Sequence, residues 1–179
     1  FNYYITNYSL CRTFVNIHLL NGKINMVIYM VDNNLRYCRE ELEMTQEELG
    51  IILGASKQTI SNWETGYTPI PLNKLVRFAN LYNYSLDFIV GFTRKNTKYN
   101  KNIKLDSKLI GKNLKLVREK LNLTQQQIAD KCNIYQSTYN HYETGYSLIK
   151  IIPAYSICKT YNISFDWLVG RTNNIKISK

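Results

Sequence analysis

The sequence predicts an all-α protein made of two tandem five-helix domains joined by a basic linker. Three observations carry that expectation. The stretch Thr45 to Gly66, TQEELGIILGASKQTISNWETG, returns 79 residues later as Thr124 to Gly145, TQQQIADKCNIYQSTYNHYETG. Between Leu35 and Gly91 the two copies align without a gap, which duplication of one module explains most economically. Within each copy the apolar residues recur at helical spacing. A chain of 179 residues holds one or two domains, and the repeat decides for two. Each is about 60 residues long, a size at which small helical domains fold alone but marginally.

Residues 1–29 stand apart. They begin with Phe, match nothing in the second copy and show no sustained period. Val31, Leu35, Cys38 and Leu42 map by the same offset onto Ile110, Leu114, Val117 and Leu121, so the first domain is expected to occupy residues 30–92. One reading makes Met30 or Met26 the natural start, with residues 1–29 a non-native or poorly ordered extension; the other makes them a genuine N-terminal arm.

Helix 1 is expected from Asp32 to Glu43. Thr45 caps helix 2, and Glu47 and Glu48 sit in its first turn, where the helix dipole favours negative charge. Leu49, Ile52 and Leu53 share one face, and small Gly50 is expected where helix 3 crosses helix 2 at close range. Gly54 breaks the run at a place that calls for positive φ. Ser56 caps helix 3, with Ile60 and Trp63 pointing inward and Lys57, Gln58, Ser61 and Asn62 outward. Pro69 and Pro71 punctuate the next loop, and Pro71 suits the first position of helix 4. There Leu72, Leu75, Val76 and Ala79 form an i, i+3, i+4, i+7 stripe. Ser85 caps a short helix 5 that ends at Gly91. Residues 93–105 are polar, Lys/Asn-rich and without period, which reads as a linker. Asp106 or Ser107 opens the second domain, residues 106–172, and residues 173–179 form a short, frayed tail.

Two helices at a steep angle around a tight turn are the helix-turn-helix arrangement, with the second helix free to enter a DNA groove. The spacing T-Q-E-E-L-G, L-G-A-S, I-S-N-W-E-T-G resembles the Cro/CI-type (Xre) family of phage repressors and bacterial regulators. Each copy continues as that family does, ending in YNYSLDFIVG and YNISFDWLVG. The resemblance covers residues 30 to 172. It implies a lambda-repressor-like fold in each copy, double-stranded DNA as partner, transcriptional regulation, with repression favoured, and a cytoplasmic location.

The net charge of +10 suits a polyanionic partner but is unevenly placed. Residues 32–94 carry six Lys/Arg against eight Asp/Glu, residues 95–112 six Lys against one Asp, and residues 113–172 a net +3. Basic character therefore belongs to the linker and the second copy. Cys11, Cys38, Cys132 and Cys158 show no metal-ligand spacing, and Cys38 and Cys158 fall on apolar helix faces as buried thiols. The most apolar stretch, Ile24 to Val31, is too short to span a bilayer. His18 and His141 have no companions to complete a metal site, and no phosphate loop, nucleophile elbow or paired-acid arrangement appears. No catalytic residue, metal or cofactor is expected.

Base reading is expected from the outer face of helix 3: Lys57, Gln58, Ser61 and Asn62, with Ser56 at its start. Gln and Asn can pair bidentately with adenine, and Lys prefers the guanine edge. The second copy offers Gln136, Ser137, Asn140 and His141. The resemblance makes Gln46 and Gln125 phosphate contacts at the start of helix 2. It also makes Arg39–Glu64 and Arg118–Glu143 internal ion pairs that brace helix 1 against helix 3. The second copy departs from the pattern. Asn133 replaces the turn glycine, Tyr135 replaces the capping Ser56, and Tyr139 replaces Ile60. Tyr135, Tyr139, Tyr142 and Tyr146 run at i, i+4, i+7, i+11, a stripe expected in core or interface, with its outermost rings within reach of phosphate. An alternative stays open: one copy has given up DNA and mediates a homodimer or binds a protein partner, as an antitoxin-type module does.

Overall fold

The computed structural model of the chain describes residues 15–20, 23–28, 33–99 and 101–176. Cys11, Met30, Val31, Asp32 and the last three residues of the tail lie outside the described residues, and with them the expected start of the first domain. Ahead of the domains, β1 (Val15–Leu20) and β2 (Lys23–Ile28) pair antiparallel, with Val15 opposite Ile28 and Leu20 opposite Lys23. The lack of a sustained period hid this hairpin, since its ladder is made by backbone groups and both segments are rich in strand-forming residues.

Both copies are helical throughout. The first contains α1 (Leu35–Glu41), α2 (Gln46–Leu53), α3 (Lys57–Glu64), α4 (Leu72–Tyr82) and α5 (Leu86–Ile89). The second repeats them as α6 (Ser107–Lys120), α7 (Gln125–Lys131), α8 (Gln136–Glu143), α9 (Ile151–Tyr161) and α10 (Phe165–Leu168). Helix 1 starts later than expected in the first copy, because the Asn33 side chain occupies the neighbouring Leu35 amide. Asn33 Oδ1 accepts from Leu35 N, and Asn33 Nδ2 donates to Trp63 O at 2.9 Å. In the second copy Asp106 caps α6 by accepting from the amides of Lys108 and Leu109.

The caps explain where the helices begin. Thr45 and Thr124 each form a capping box, with Glu48 and Gln127 as the reciprocal partners. Ser85 and Ser164 cap the fifth helices through the amides of Phe88 and Trp167. Pro71 lies at the N-cap of α4, one residue before the helix. Asn83 and Asn162 close α4 and α9 in the left-handed conformation, where Asn is tolerated better than most residues. A Cβ on Gly50 would lie 2.5 Å from Ala55 O, so the close approach is made by the turn after α2.

The apolar stripes of all these helices meet in one continuous buried cluster that includes Leu35, Leu49, Ile60, Leu75, Phe78 and Leu86 and their counterparts. Such shared burial is what two domains this small need. The fifth helices carry the contact between the copies. Asp87 Oδ1 accepts from Phe165 N at 2.6 Å, and Asp87 N donates to Asp166 Oδ2 at 3.1 Å. The segment 93–105 has neither helix nor strand among its described residues, yet it is fastened down. Asn80 both donates to Ile103 O and accepts from Ile103 N, Asn96 Oδ1 accepts from Ser85 N, and Lys101 Nζ reaches Gly170 O at 2.7 Å. The described part of the tail is also held, with Ser164 N donating to Ile175 O.

Candidate nucleic-acid interface

Each candidate reading helix stands on a rigid base built by its own sequence. Gly54 at φ 63° and Asn133 at φ 52° turn the chain between the second and third helices. Ser56 then accepts from Thr59 N at 3.1 Å to open α3. Tyr135 holds the same place before α8 and makes no side-chain cap bond. Inward, Ile60 and Trp63 bury against the first core, and Tyr139 and Tyr142 against the second. The aromatic stripe is thereby corrected. Tyr139 and Tyr142 are core, whereas Tyr135 and Tyr146 are 83% and 81% exposed. The reason is length: α8 spans only Gln136–Glu143, so both outer tyrosines lie beyond its ends.

A guanidinium, buried in the first copy and half-buried in the second, locks each third helix to helix 1. Arg39 Nε donates to Glu64 Oε1 at 2.5 Å and Nη2 to Oε2 at 3.2 Å, while Nη1 reaches Met44 O at 2.6 Å. Arg118 repeats this on Glu143, with two bonds of 2.8 Å, and on Leu123 O. One side chain thus ties helix 1, the loop before helix 2 and the end of helix 3. Hydrogen bonds to Glu64 and Glu143 hold the two arginines above their ordinary range. Burial pushes the Glu143 carboxyl up, but the bonds from Arg118 and Gln125 and the Arg118 charge outweigh it and leave the group lowered.

A second repeated device escaped the sequence reading. Asn34 Nδ2 donates to Phe88 O at 2.7 Å, and Asn113 Nδ2 donates to Trp167 O and Leu168 O. These equivalent asparagines pin helix 1 of each copy to the end of its fifth helix. Their shared 79-residue offset was the available signal.

The outer faces are polar and open. Ser56, Lys57 and Gln58 are exposed and Ser61 and Asn62 half-exposed; Ser137 and His141 are exposed and Gln136 and Asn140 half-exposed. The structure brings these residues into small networks. Lys57 pairs with Glu47 at 2.6 Å, an exposed contact of the kind worth about 0–1 kcal/mol and so readily exchanged. Gln58 donates to Asn62 Oδ1. Gln46 Nε2 donates to Glu64 Oε2 at 2.8 Å, joining the ion pair. In the second copy Gln136 donates to Gln125 Oε1 at 2.6 Å and Gln125 donates to Asn140 Oδ1 at 3.2 Å, while the His141 ring lies 4.9 Å from that of Tyr146. Tyr67 and Tyr146, identical in the two copies, are both exposed in the turn after the third helix. Retention of a large ring in the open was a signal the sequence offered for Tyr67 and that went unused.

Two such units, each a capped helix set across another around a tight turn and locked from behind by an arginine, define a helix-turn-helix protein. The family model described as Helix-turn-helix matches residues 35–89 and again residues 114–168, more than half of the chain, and the chain belongs to that family. It is similar to the uncharacterized HTH-type transcriptional regulator YobD of Bacillus subtilis (strain 168), 36% identical over 64 residues, covering 36% of this chain and 57% of that protein. It is also similar to the HTH-type transcriptional regulator ImmR of the same organism, 34% identical over 62 residues, covering 35% of this chain and 49% of that protein. The chain thus spans about half the length of the curated relatives it matches. Among the described residues, no helix is long and apolar enough to cross a membrane.

Proposed function

We infer that the chain binds double-stranded DNA sequence-specifically and regulates transcription, with repression by occlusion as the outcome. The single observation carrying this is that both copies present an open polar face on a third helix locked from behind, the geometry needed to enter a major groove. Lys57, Gln58, Ser61 and Asn62 read one half of the site, and Gln136, Ser137, Asn140 and His141 the other. Gln46 and Gln125 contact phosphate from the start of helix 2, where backbone amides also point outward, and Ser56, Tyr135, Tyr67 and Tyr146 flank the reading faces. The matched family and the transcriptional regulators named above support the same reading.

The pairing alternative finds less support. The copies meet through α5 and α10, which leaves the outer faces of both α3 and α8 open. Selection of bound duplexes from random DNA tests the proposal. Exchange of Lys57–Asn62 for the second copy's residues should then change base preference in one half only, and each phosphate contact should add about −0.9 to the log–log salt slope. Failure of the full chain to enrich any sequence would sink it.

A further inference from the structure

The contact between the copies is made reciprocally by the equivalent carboxylates of Asp87 and Asp166. Phe165 N, in the first turn of α10, donates to the Asp87 carboxylate, and Asp87 N, in the first turn of α5, donates to the Asp166 carboxylate. A contact in which i meets j and j meets i relates its two halves by a two-fold rotation. Here that rotation relates two unlike heads within one chain.

The residue three positions beyond each fifth helix breaks the symmetry. Phe92 and Arg171 occupy equivalent positions, and each crosses into the other copy. The Phe92 ring lies 4.8 Å from Tyr155 and 6.4 Å from Phe165. The Arg171 guanidinium, fully buried, donates to Tyr84 O at 2.7 Å and Ala79 O at 3.2 Å while paired with Asp166 Oδ1 at 3.1 Å. Neither residue suits a partner like its own copy. Two first copies would set Phe92 against Val76 and Leu86 in place of Tyr155 and Phe165, and would bury two Asp87 carboxylates with no guanidinium. Two second copies would keep each Arg171 on its own Asp166 but leave the place beside Tyr155 without a phenyl ring. Uncompensated buried carboxylates in the one case and an unfilled apolar place in the other are both costly, so unlike heads pair in preference to like ones.

We propose that a single chain is the complete reading unit, and that its site is an inverted pair of unlike half-sites at one fixed separation. This rests on the DNA-binding reading above. The two-fold rotation turns α8 end for end relative to α3, so equivalent residues meet the duplex in opposite senses. Burial of the α5–α10 contact within the shared core, together with the fastened segment 93–105, removes the slack that a variable spacing or a direct repeat would need.

The test uses the full chain and the duplexes it selects. Single variants then map which base pair each side chain reads. Lys57→Ala and Gln136→Ala should relax preference at positions lying equally far from the centre on opposite sides, as should Asn62→Ala and His141→Ala. Inserting about five base pairs, half a helical turn, between the halves should weaken binding at least tenfold, and sedimentation should find one chain per duplex. Two chains per duplex, two identical half-sites, equivalent residues displaced in the same direction in both halves, or indifference to the insertion would overturn this inference and leave DNA binding standing. A chain that enriches no sequence overturns both.

Discussion

Asp87 and Asp166 stand 79 residues apart and meet across the boundary between the copies. Asp87 N donates to Asp166 Oδ2 at 3.1 Å, and the Asp87 carboxylate accepts from Phe165 N and, at 2.6 Å, from Ser164 Oγ. Asp166 is further paired with Arg171, whereas Asp87 is held by neutral donors. Both carboxylates are buried, and their protonation follows chiefly from that.

Burial, and then the charge of Asp166, push the Asp87 carboxyl from its ordinary 3.8 to about 6. An acid with a raised folded value is favoured in its protonated form by the folded state. Its stabilising contribution is therefore fully present below pH 3.8 and is lost as the pH rises through about 6. Burial also raises Asp166, with the same sign. The lowered Glu143 acts oppositely, but below its ordinary 4.5. The melting temperature should accordingly rise by a few degrees between pH 7.5 and pH 5. Asp87→Asn, which keeps one acceptor and loses the charge, should flatten that slope; a slope unchanged in the variant would assign it to other groups.

The arginine locks should behave as buried ion pairs. Arg39→Met strands a carboxylate that is nearly fully buried and should cost on the order of 3 kcal/mol. Arg39→Met combined with Glu64→Met removes both charges and should lie closer to the parent protein than either single change. Urea denaturation of the four proteins closes the cycle, and additive losses would show that the pair is not coupled.

Gly111 lies where α6 passes close to the end of α8. A Cβ there would lie 2.6 Å from Glu143 O, 2.7 Å from Tyr142 O and 2.9 Å from Gly145 N, all backbone atoms. Gly111→Ala should cost about 1–3 kcal/mol by overpacking, despite the better helix propensity of Ala. Thermal unfolding reads this, and a stabilised variant would show that α6 can shift outward freely.

Tyr135 offers the opposite opportunity. It occupies an N-cap with extended backbone, makes no cap bond and is 83% exposed. Tyr135→Ser should raise stability by about 1 kcal/mol through a new bond to the amide of Thr138, mirroring Ser56 and Thr59. An unchanged melting temperature would show that the ring contributes as much as the cap.

Much of the fold was legible because its causes are local. Thr45, Ser85 and Asp106 announced their helices by cap chemistry, and Gly54 and Asn133 announced the turns by their tolerance of positive φ. The hairpin of residues 15–28 was not, since a two-stranded ladder needs no apolar period. Helical spacing suggested a stripe of four tyrosines, but the end of α8 at Glu143 divides it into two core and two exposed rings. Gln46, expected at phosphate by resemblance, donates to Glu64 in the free protein. That contact joins residues on different helices, which spacing within one helix does not reveal.

The sequence by itself determined two copies of a helical unit, their caps and turns, and the polar outer edge of each third helix. These depend on interactions within about twenty residues, where chain geometry leaves few choices. Only the tertiary structure decided that the copies join through α5 and α10, that Phe92 and Arg171 exchange sides, and that a polar connecting segment lies fastened against both. The physical reason is burial. Asp87 and Arg171 are unremarkable letters until a surface 77 to 92 residues away removes their water, and which surface does so is a property of the packed molecule alone.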